Sequence, residues 1–238
     1  MTILRAVLYA LALCVSSTAS SQNQFWPLII DGATGNDPIG QWAKQVNSNA
    51  EEVALNPVQS AEVDADGTLD FKSSPPLTRD NLAHFVAQSR AQNPAAAAQL
   101  EELFAQVDVV GAVSDKMRSV GLQPSNTADA YAVWWIIAWS AANDAESPED
   151  RATFQAVSRQ ARAAFADTKD FAAQPDADKQ QFAEALMVQA VLLDSANDGT
   201  RNDPALRQQL ADQAKRGASE MGLDLTAMML TEDGFRPR

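Results

Sequence analysis

His84 is the only histidine of the chain and the only conventional general base near neutral pH. It lies in a segment with helical periodicity, four residues after Asp80, so the two would form an ordinary surface pair. Leu82, Phe85 and Val86 define the apolar face of that helix, and His84 lies on the other side. We therefore expect an exposed His84 without a catalytic role, and we predict no other catalytic residue.

Three carboxylates, those of Asp64, Asp66 and Asp70, surround a turn at Gly67. Carboxylate oxygens are the ligands that Ca²⁺ prefers, so these residues are the candidate metal site. Aligned as a helix-loop-helix calcium loop, however, the segment has Ser73 at the twelfth position, where such loops carry a bidentate glutamate. The alternative, which we favour, is an Asp-Gly turn between two short extended pieces.

Asp129, Tyr131, Trp135 and Trp139 form the candidate ligand-binding group. A carboxylate in the first turn of a helix is stabilised by the free N–H groups there, and aromatic side chains can line an apolar pocket. The alternative is structural. Asp129 would then be a cap and an inter-helix hydrogen-bond acceptor, and the indoles would fill the core.

Composition and charge exclude several classes of function. The chain has 18 basic and 31 acidic residues and a formal net charge of −13, which argues against binding nucleic acid or an anionic membrane surface. With one cysteine and one histidine, a disulfide framework is excluded, and zinc, haem and di-iron sites are not expected. Glycine-rich phosphate loops and the G-x-S-x-G nucleophile turn are absent from the sequence. We predict no cofactor.

Residues 1–21 have the features of a secretory signal peptide. Arg5 precedes an apolar run over residues 6–15, which is much shorter than the about 20 residues that span a bilayer. Small residues follow, so cleavage is expected after Ala19 or after Ser21. The sequence therefore predicts a periplasmic or secreted protein with no transmembrane segment in the mature chain. Lipoprotein processing is a rival interpretation, because Cys14 lies in this segment. We disfavour it, since Leu13 occupies the position where a small residue is expected.

Helical signals dominate from about residue 78 onward. Apolar residues recur every three or four positions, and alanine, the best helix former, occurs 44 times. Helix ends with left-handed glycines are predicted at Gly121 and Gly222. One long helix is predicted from Pro94 to Met117 with a kink at Gly111. Further helix starts are predicted at Thr78, Asn126, Ser147, Asp176 and Asp203.

The segment 126–143 is apolar on every side. It has no charge between Ala130 and Ala142, and it contains Trp134, Trp135 and Trp139. A helix that is apolar all round must be surrounded by other elements, and this one is too short to cross a membrane. We therefore predict an all-α bundle of about six helices around a central, apolar, Trp-rich helix.

The predicted domain organisation has three parts. They are the signal peptide, 1–21, an irregular N-terminal arm, 22–75, and a helical bundle domain, 76–238. The arm is rich in proline and glycine, with one short helix near residues 39–50. Residues 68–71 are a strand candidate, and pairing with residues 227–230 would give a two-stranded accessory to the bundle.

Three stretches of the sequence carry a resemblance to a family of uncharacterised exported bacterial proteins. They are Leu69–Ser74 (LDFKSS), the central run Gly121-Leu122 … Asn126 … Ala128-Asp129-Ala130-Tyr131-Ala132 … Trp135 … Trp139, and the tail Gly222-Leu223-Asp224 … Leu230-Thr231-Glu232-Asp233-Gly234-Phe235. The similarity covers roughly residues 69–235, and the doubled Trp134-Trp135 departs from the single aromatic of the family pattern. The family is a domain of unknown function. The resemblance therefore implies a fold and an exported location but no catalytic residue.

Two functional hypotheses remain at this point, beside the option of a purely structural envelope protein. The first is a non-enzymatic exported protein that binds a protein partner or an apolar ligand, and the charge of the chain favours a basic partner. The second is a carboxylate-based hydrolase acting on envelope glycans or lipids, for which two acidic side chains about 5–10 Å apart in a concave site suffice.

The two interpretations of the acidic turn predict different calorimetric results. An Asp-Gly turn that lacks the bidentate glutamate binds Ca²⁺ too weakly to detect, so titration of the protein with Ca²⁺ should give no heat beyond dilution. A binding heat that disappears in Asp66→Asn would instead establish the calcium interpretation.

Overall fold

The computed structural model describes residues 38–56, 67–168 and 170–238. Within these residues the fold is almost entirely helical, with one β-hairpin at the C-terminal end. The elements are α1 (Pro38–Leu55), α2 (Pro75–Gln92), α3 (Pro94–Gln106), α4 (Val109–Ser119), α5 (Thr127–Ala142), α6 (Arg151–Ala166), α7 (Asp176–Gly199), α8 (Pro204–Glu220), β1 (Met228–Thr231) and β2 (Gly234–Pro237).

Helix α5 is the centre of the molecule. It packs against α4, α6, α7 and α8, and all of its residues except Trp139 are buried. Asn126 caps it, since the Asn126 Oδ1 accepts from the Asp129 N–H at 3.1 Å. The predicted central helix and its cap are confirmed. A helix with apolar side chains on every side can bury them only when amphipathic helices surround it.

The aromatic side chains of α5 form a continuous cluster with its neighbours. The Tyr131 ring lies 5.4 Å from the Trp134 ring, 5.8 Å from the Trp135 ring and 5.7 Å from the Phe165 ring of α6. The Trp135 ring stacks on Phe235 of β2 at 4.3 Å with an interplanar angle of 25°. Such contacts add about 0.5–1.5 kcal/mol per pair to the stabilisation that burial provides.

The C-terminal hairpin covers one face of the aromatic cluster. Its two strands are antiparallel, and Thr231 faces Gly234 across the turn. The Gln160 side chain of α6 takes the place of a third strand. Its Nε2 donates to the Phe235 carbonyl and its Oε1 accepts from the Phe235 N–H, both at 2.7 Å. Gly234 has φ +100°, and a Cβ there would collide with Gln160, so glycine is required at this position.

The strand pairing predicted from the sequence is wrong. Residues 68–71 do not pair with residues 227–230; β1 pairs instead with β2, which follows it directly in the chain. Asp70 forms only an isolated bridge with Asn126. The two-residue connection of Glu232 and Asp233 allows local pairing, which needs no long-range loop closure.

The predicted long helix from Pro94 to Met117 is also wrong, because the structure divides it into α3 and α4. Asp108 lies at the break, and its Oδ1 accepts from the Gly111 N–H at 2.9 Å. This side-chain cap starts a new helix, and Gly111 leaves room for the carboxylate where a Cβ would collide with it.

Two helices begin elsewhere than predicted. Helix α2 starts at Pro75, because two consecutive prolines suit a first turn, and Thr78 instead donates to Glu184 of α7 at 2.6 Å. Helix α6 starts at Arg151, with Asp150 as the cap that accepts from the Thr153 N–H at 2.8 Å. Ser147, the predicted cap, therefore does not cap α6, and its hydroxyl makes another contact.

The predicted glycine stops of α4 and α8 are confirmed. Gly121 and Gly222 have φ of +80° and +83°. The Leu122 N–H donates to the Met117 carbonyl at 2.9 Å, and the Leu223 N–H donates to the Ala218 carbonyl at the same distance. Each bond satisfies a carbonyl in the last turn of the helix and holds the leucine after the glycine close to that turn.

The short helix predicted near residues 39–50 is longer in the structure, where α1 has 18 residues. Helix α1 packs on α6 and β2, and the Tyr131 hydroxyl of α5 donates to the Asn47 Oδ1 at 2.7 Å. Part of the predicted irregular arm is thus continuous with the bundle core. The predicted signal peptide lies outside the described residues, and none of the described helices has the length and apolarity of a membrane span.

The Gln160 contact predicts a large loss of stability on truncation. Gln160→Ala leaves the Phe235 N–H and carbonyl buried without their partners, and we expect the free energy of unfolding to fall by about 2 kcal/mol or more. Urea unfolding monitored by circular dichroism measures this change. Gln208→Ala, an exposed position on α8, is the matched control and should stay within about 0.5 kcal/mol of the unsubstituted protein. Equal stability of the two variants would contradict the assigned role.

Candidate functional site

A cleft of about 470 Å³ opens between α4, α5, α7 and the chain that connects α5 to α6. This volume lies within the range of about 300–1,000 Å³ that is usual for small-molecule sites. The floor is apolar and comes from three helices and the residue that follows one of them: Val113 and Met117 of α4, Val120 directly after α4, Val133 and Ile137 of α5, and Val191 of α7.

The central helix supplies two residues of this floor. Val133 and Ile137 are one turn apart, so they share one face of α5, and each keeps an exposed fraction of 8%. Trp135 and Ile136, which point elsewhere, are 0% exposed. Val133 and Ile137 are therefore the residues through which the buried central helix reaches the cleft.

The polar part of the cleft centres on Asp194 of α7. Ala190, Val191, Asp194 and Asp198 recur at helical spacing, so one face of α7 presents both apolar and acidic groups to the cleft. The Ser147 hydroxyl donates to the Asp194 Oδ1 at 3.0 Å. Ser147 can make this contact because Asp150, and not Ser147, caps α6.

Burial raises the pKa of Asp194, and the neighbouring charge of Asp198 raises it further. The hydrogen bond from Ser147 and the charges of Arg201 and Lys116 oppose this effect without cancelling it. The environment of Asp194 thus disfavours its ionised form, and carboxyl groups with a perturbed pKa are common at binding and catalytic sites.

The basic groups of the cleft are not equivalent. Arg201 forms an ion pair with Asp198 at 2.7 Å and lies 3.9 Å from Glu146. Lys116 lies on α4 at the cleft, and in the described part of the chain no carboxylate lies within ion-pair distance of it. Glu149, an exposed carboxylate, completes the charged lining.

Asp129 lies in a buried network away from this cleft. Its Oδ1 accepts from the Ser158 hydroxyl at 2.5 Å and from Arg162 at 2.8 Å, both on α6, and its Oδ2 accepts from the Gln123 N–H at 2.7 Å. The bonds to Ser158 and Arg162 match the inter-helix part of the structural alternative, whereas the cap of α5 is Asn126. A ligand-binding role for Asp129 stays a prediction.

The other three residues of the predicted ligand group lie in the aromatic cluster. Tyr131 is buried, and desolvation raises the pKa of its hydroxyl well above the ordinary value of 10.0. Trp135 is 0% exposed, and the Trp139 Nε1 donates to the Met228 carbonyl at 3.0 Å. The structure thus places Trp135 and Trp139 against Phe235 of β2 and Tyr131 beside Trp135, and none of the three lines the cleft.

The candidate metal site falls only partly within the described residues. Asp64 and Asp66 lie outside them, and the Asp70 Oδ1 accepts from the Asn126 side-chain amide at 2.6 Å. Over residues 38–56, 67–168 and 170–238, no group of three or more metal-ligating side chains is found. His84 is exposed on α2, as the helical periodicity predicted.

Sequence reasoning missed the cleft residues. The sequence pattern predicts Ser147 as a helix cap, and it assigns no role to Asp194, which lies beside the apolar stripe of Val191 and Leu193. The available signal was a carboxylate within that stripe, three residues after Val191 and four after Ala190. A charged residue at such a position requires either a polar partner or a cleft.

A comparison with known families assigns the chain to one of them. A family of unknown function, DUF6683, matches residues 29–238. The chain belongs to this family. The match confirms the expected resemblance to an uncharacterised family, and it extends over α1 as well as the bundle. No curated protein and no solved structure matches the chain.

The raised pKa of Asp194 predicts a pH-dependent gain of stability in Asp194→Asn. Ionisation of Asp194 disfavours the folded state, so its destabilising effect is absent below the ordinary pKa of 3.8 and fully present above the raised folded value. We expect the Tm of the variant to exceed that of the unsubstituted protein increasingly as the pH rises above about 4.

Thermal unfolding across this pH range measures the difference. The control is Asp80→Asn, at an exposed position of α2. The raised pKa of Asp194 would be contradicted by a Tm difference that is the same at all pH values. It would also be contradicted if the Tm of Asp194→Asn fell relative to that of the unsubstituted protein as the pH rises.

Proposed function

We propose that this member of the family is an exported, non-enzymatic binding protein that holds an apolar ligand in the cleft between α4, α5 and α7. The observation that carries the proposal is the cleft itself, with its volume of about 470 Å³ and its floor of valine, isoleucine and methionine side chains. Transfer of an apolar group from water to such a floor is favourable by about 25 cal/mol per Å² of buried area.

Export is part of this proposal and rests on the sequence of residues 1–21. Removal of that segment after Ala19 or Ser21 would release the mature chain into the periplasm or the medium. In either compartment the chain meets apolar and amphipathic molecules of the envelope, for which a cleft of this chemistry is suited.

A protein partner is compatible with the same surface. An apolar side chain presented by a partner would occupy the cleft, and the net charge of −13 would accelerate the encounter with a basic one. Binding of a basic protein partner should weaken as the salt concentration rises, because salt screens the long-range attraction. Binding of an apolar ligand should not weaken, since salt does not screen the apolar contact.

A second candidate function is carboxylate-based hydrolysis of envelope glycans or lipids. The observation that favours it is the convergence of Asp194, Asp198 and Glu149 on one concave surface, together with the raised pKa of Asp194. A carboxyl group that holds its proton at higher pH than usual is suited to general acid catalysis. This function requires turnover that Asp194→Asn abolishes.

Filling the cleft tests the leading proposal. The probe is N-phenyl-1-naphthylamine, an uncharged dye whose fluorescence rises in apolar surroundings. Ala190→Leu places a larger side chain at the cleft wall, and we expect it to weaken dye binding by about tenfold or more. Fluorescence titration measures the affinity, and circular dichroism verifies the fold.

The matched control is Ala87→Leu, the same substitution at an exposed position of α2. It should bind the dye as the unsubstituted protein does. The proposal fails if the dye stays dark with the unsubstituted protein, or if Ala190→Leu and Ala87→Leu bind it equally.

A further inference from the structure

We propose that the cleft selects ligands that join an apolar body to an organic cation, such as a primary ammonium or a guanidinium group, and that Asp194 receives the cation. This inference rests on the proposed binding function and names the class of ligand. It follows from the distribution of charge around the apolar floor.

The lining carries more negative than positive groups. Glu149, Asp194 and Asp198 contribute carboxylates, and Lys116 and Arg201 contribute the basic side chains. Arg201 is already engaged by Asp198 at 2.7 Å, so this pair presents little net charge to a ligand. Asp194 and Glu149 are then opposed by Lys116 alone.

Asp194 is the carboxylate best placed to contact a ligand that lies on the floor. It belongs to the same face of α7 as Ala190 and Val191, which line the cleft beside it. Its Oδ1 accepts from the Ser147 hydroxyl at 3.0 Å, a bond that fixes the orientation of the carboxylate without neutralising it.

The surroundings of Asp194 favour a cation over an anion or a neutral group. Burial disfavours its ionised form, so a cation that approaches it replaces lost solvation with a charge-assisted hydrogen bond. An anion at the same place would meet both Asp194 and Asp198, whose mutual repulsion is already felt there. Over longer range, the net charge of −13 concentrates cations near the surface.

Lys116 is the group that opposes this assignment. It lies on α4 at the cleft, and its charge lowers the pKa of Asp194. However, no ion pair within 4 Å joins it to Asp194 or to another carboxylate of the described residues. A lysine stem is long enough for its ammonium to remain in solvent when a ligand cation occupies the cleft.

Three probes with the same apolar body and different head groups test the inference. They are octylammonium, octanol and octanoate, each titrated calorimetrically below its micelle-forming concentration at pH about 7.5. We expect octylammonium to bind about tenfold or more tightly than octanol, because a hydrogen bond to a charged group in a partly buried site has that magnitude. Octanoate should bind more weakly than octanol.

Two variants assign the effect to Asp194. Asp194→Asn keeps the size of the side chain and its capacity to accept from Ser147, and it should reduce the affinity for octylammonium to that for octanol. Asp80→Asn, at an exposed position of α2, removes the same charge from the whole molecule and should leave the octylammonium affinity within about twofold.

The outcomes separate this inference from the proposed function. If none of the three probes binds, the apolar cleft is not a binding site and both fail. If octanol binds as tightly as octylammonium and Asp194→Asn changes nothing, binding stands and cation selection is wrong. Tighter binding of octanoate would overturn the inference and identify an anion site formed by Lys116.

Discussion

Burial of the central helix α5 is the constraint on which the remaining structure depends. The helix has no polar face, so every surrounding element must offer it an apolar surface, and four helices and a hairpin do so. The polar groups that it carries inside need partners of their own. Asp129 therefore accepts hydrogen bonds from Ser158 and Arg162 of α6, and the Tyr131 hydroxyl donates to Asn47 of α1.

The hairpin shows how this constraint reaches the C-terminal end of the chain. A two-stranded hairpin is marginal by itself, and here the Phe235 ring stacks on Trp135 while Gln160 satisfies the outer backbone groups of β2. The indole N–H of Trp135 and the hydroxyl of Ser140 have no hydrogen-bond partner in the described part of the chain. The packing around α5 is favourable enough to tolerate both, although each unsatisfied group costs about 1–3 kcal/mol.

The cleft lies beside one strip of this central helix. Between α4 and α7, Val133 and Ile137 of α5 line it together with Phe154 of α6 and the chain that connects α5 to α6. A gap beside an apolar strip is the place where charged side chains can approach the core while keeping contact with water. Asp194, Ser147 and Lys116 meet there, although they lie on different segments of the chain.

Local chemistry within the sequence determined the helical class, the central helix with its Asn126 cap, the glycine stops at Gly121 and Gly222, and the exposure of His84. Each of these depends on residues within one or two turns of one another. The pairing of β1 with β2 and the cap at Asp108 are also local, since each joins residues that are close together in the chain. Tertiary structure alone decided that Ser147 meets Asp194, 47 residues away, and that Gln160 binds Phe235, 75 residues away. These contacts form only after the helices have docked around α5, because until then the groups are separated by flexible chain and each prefers water.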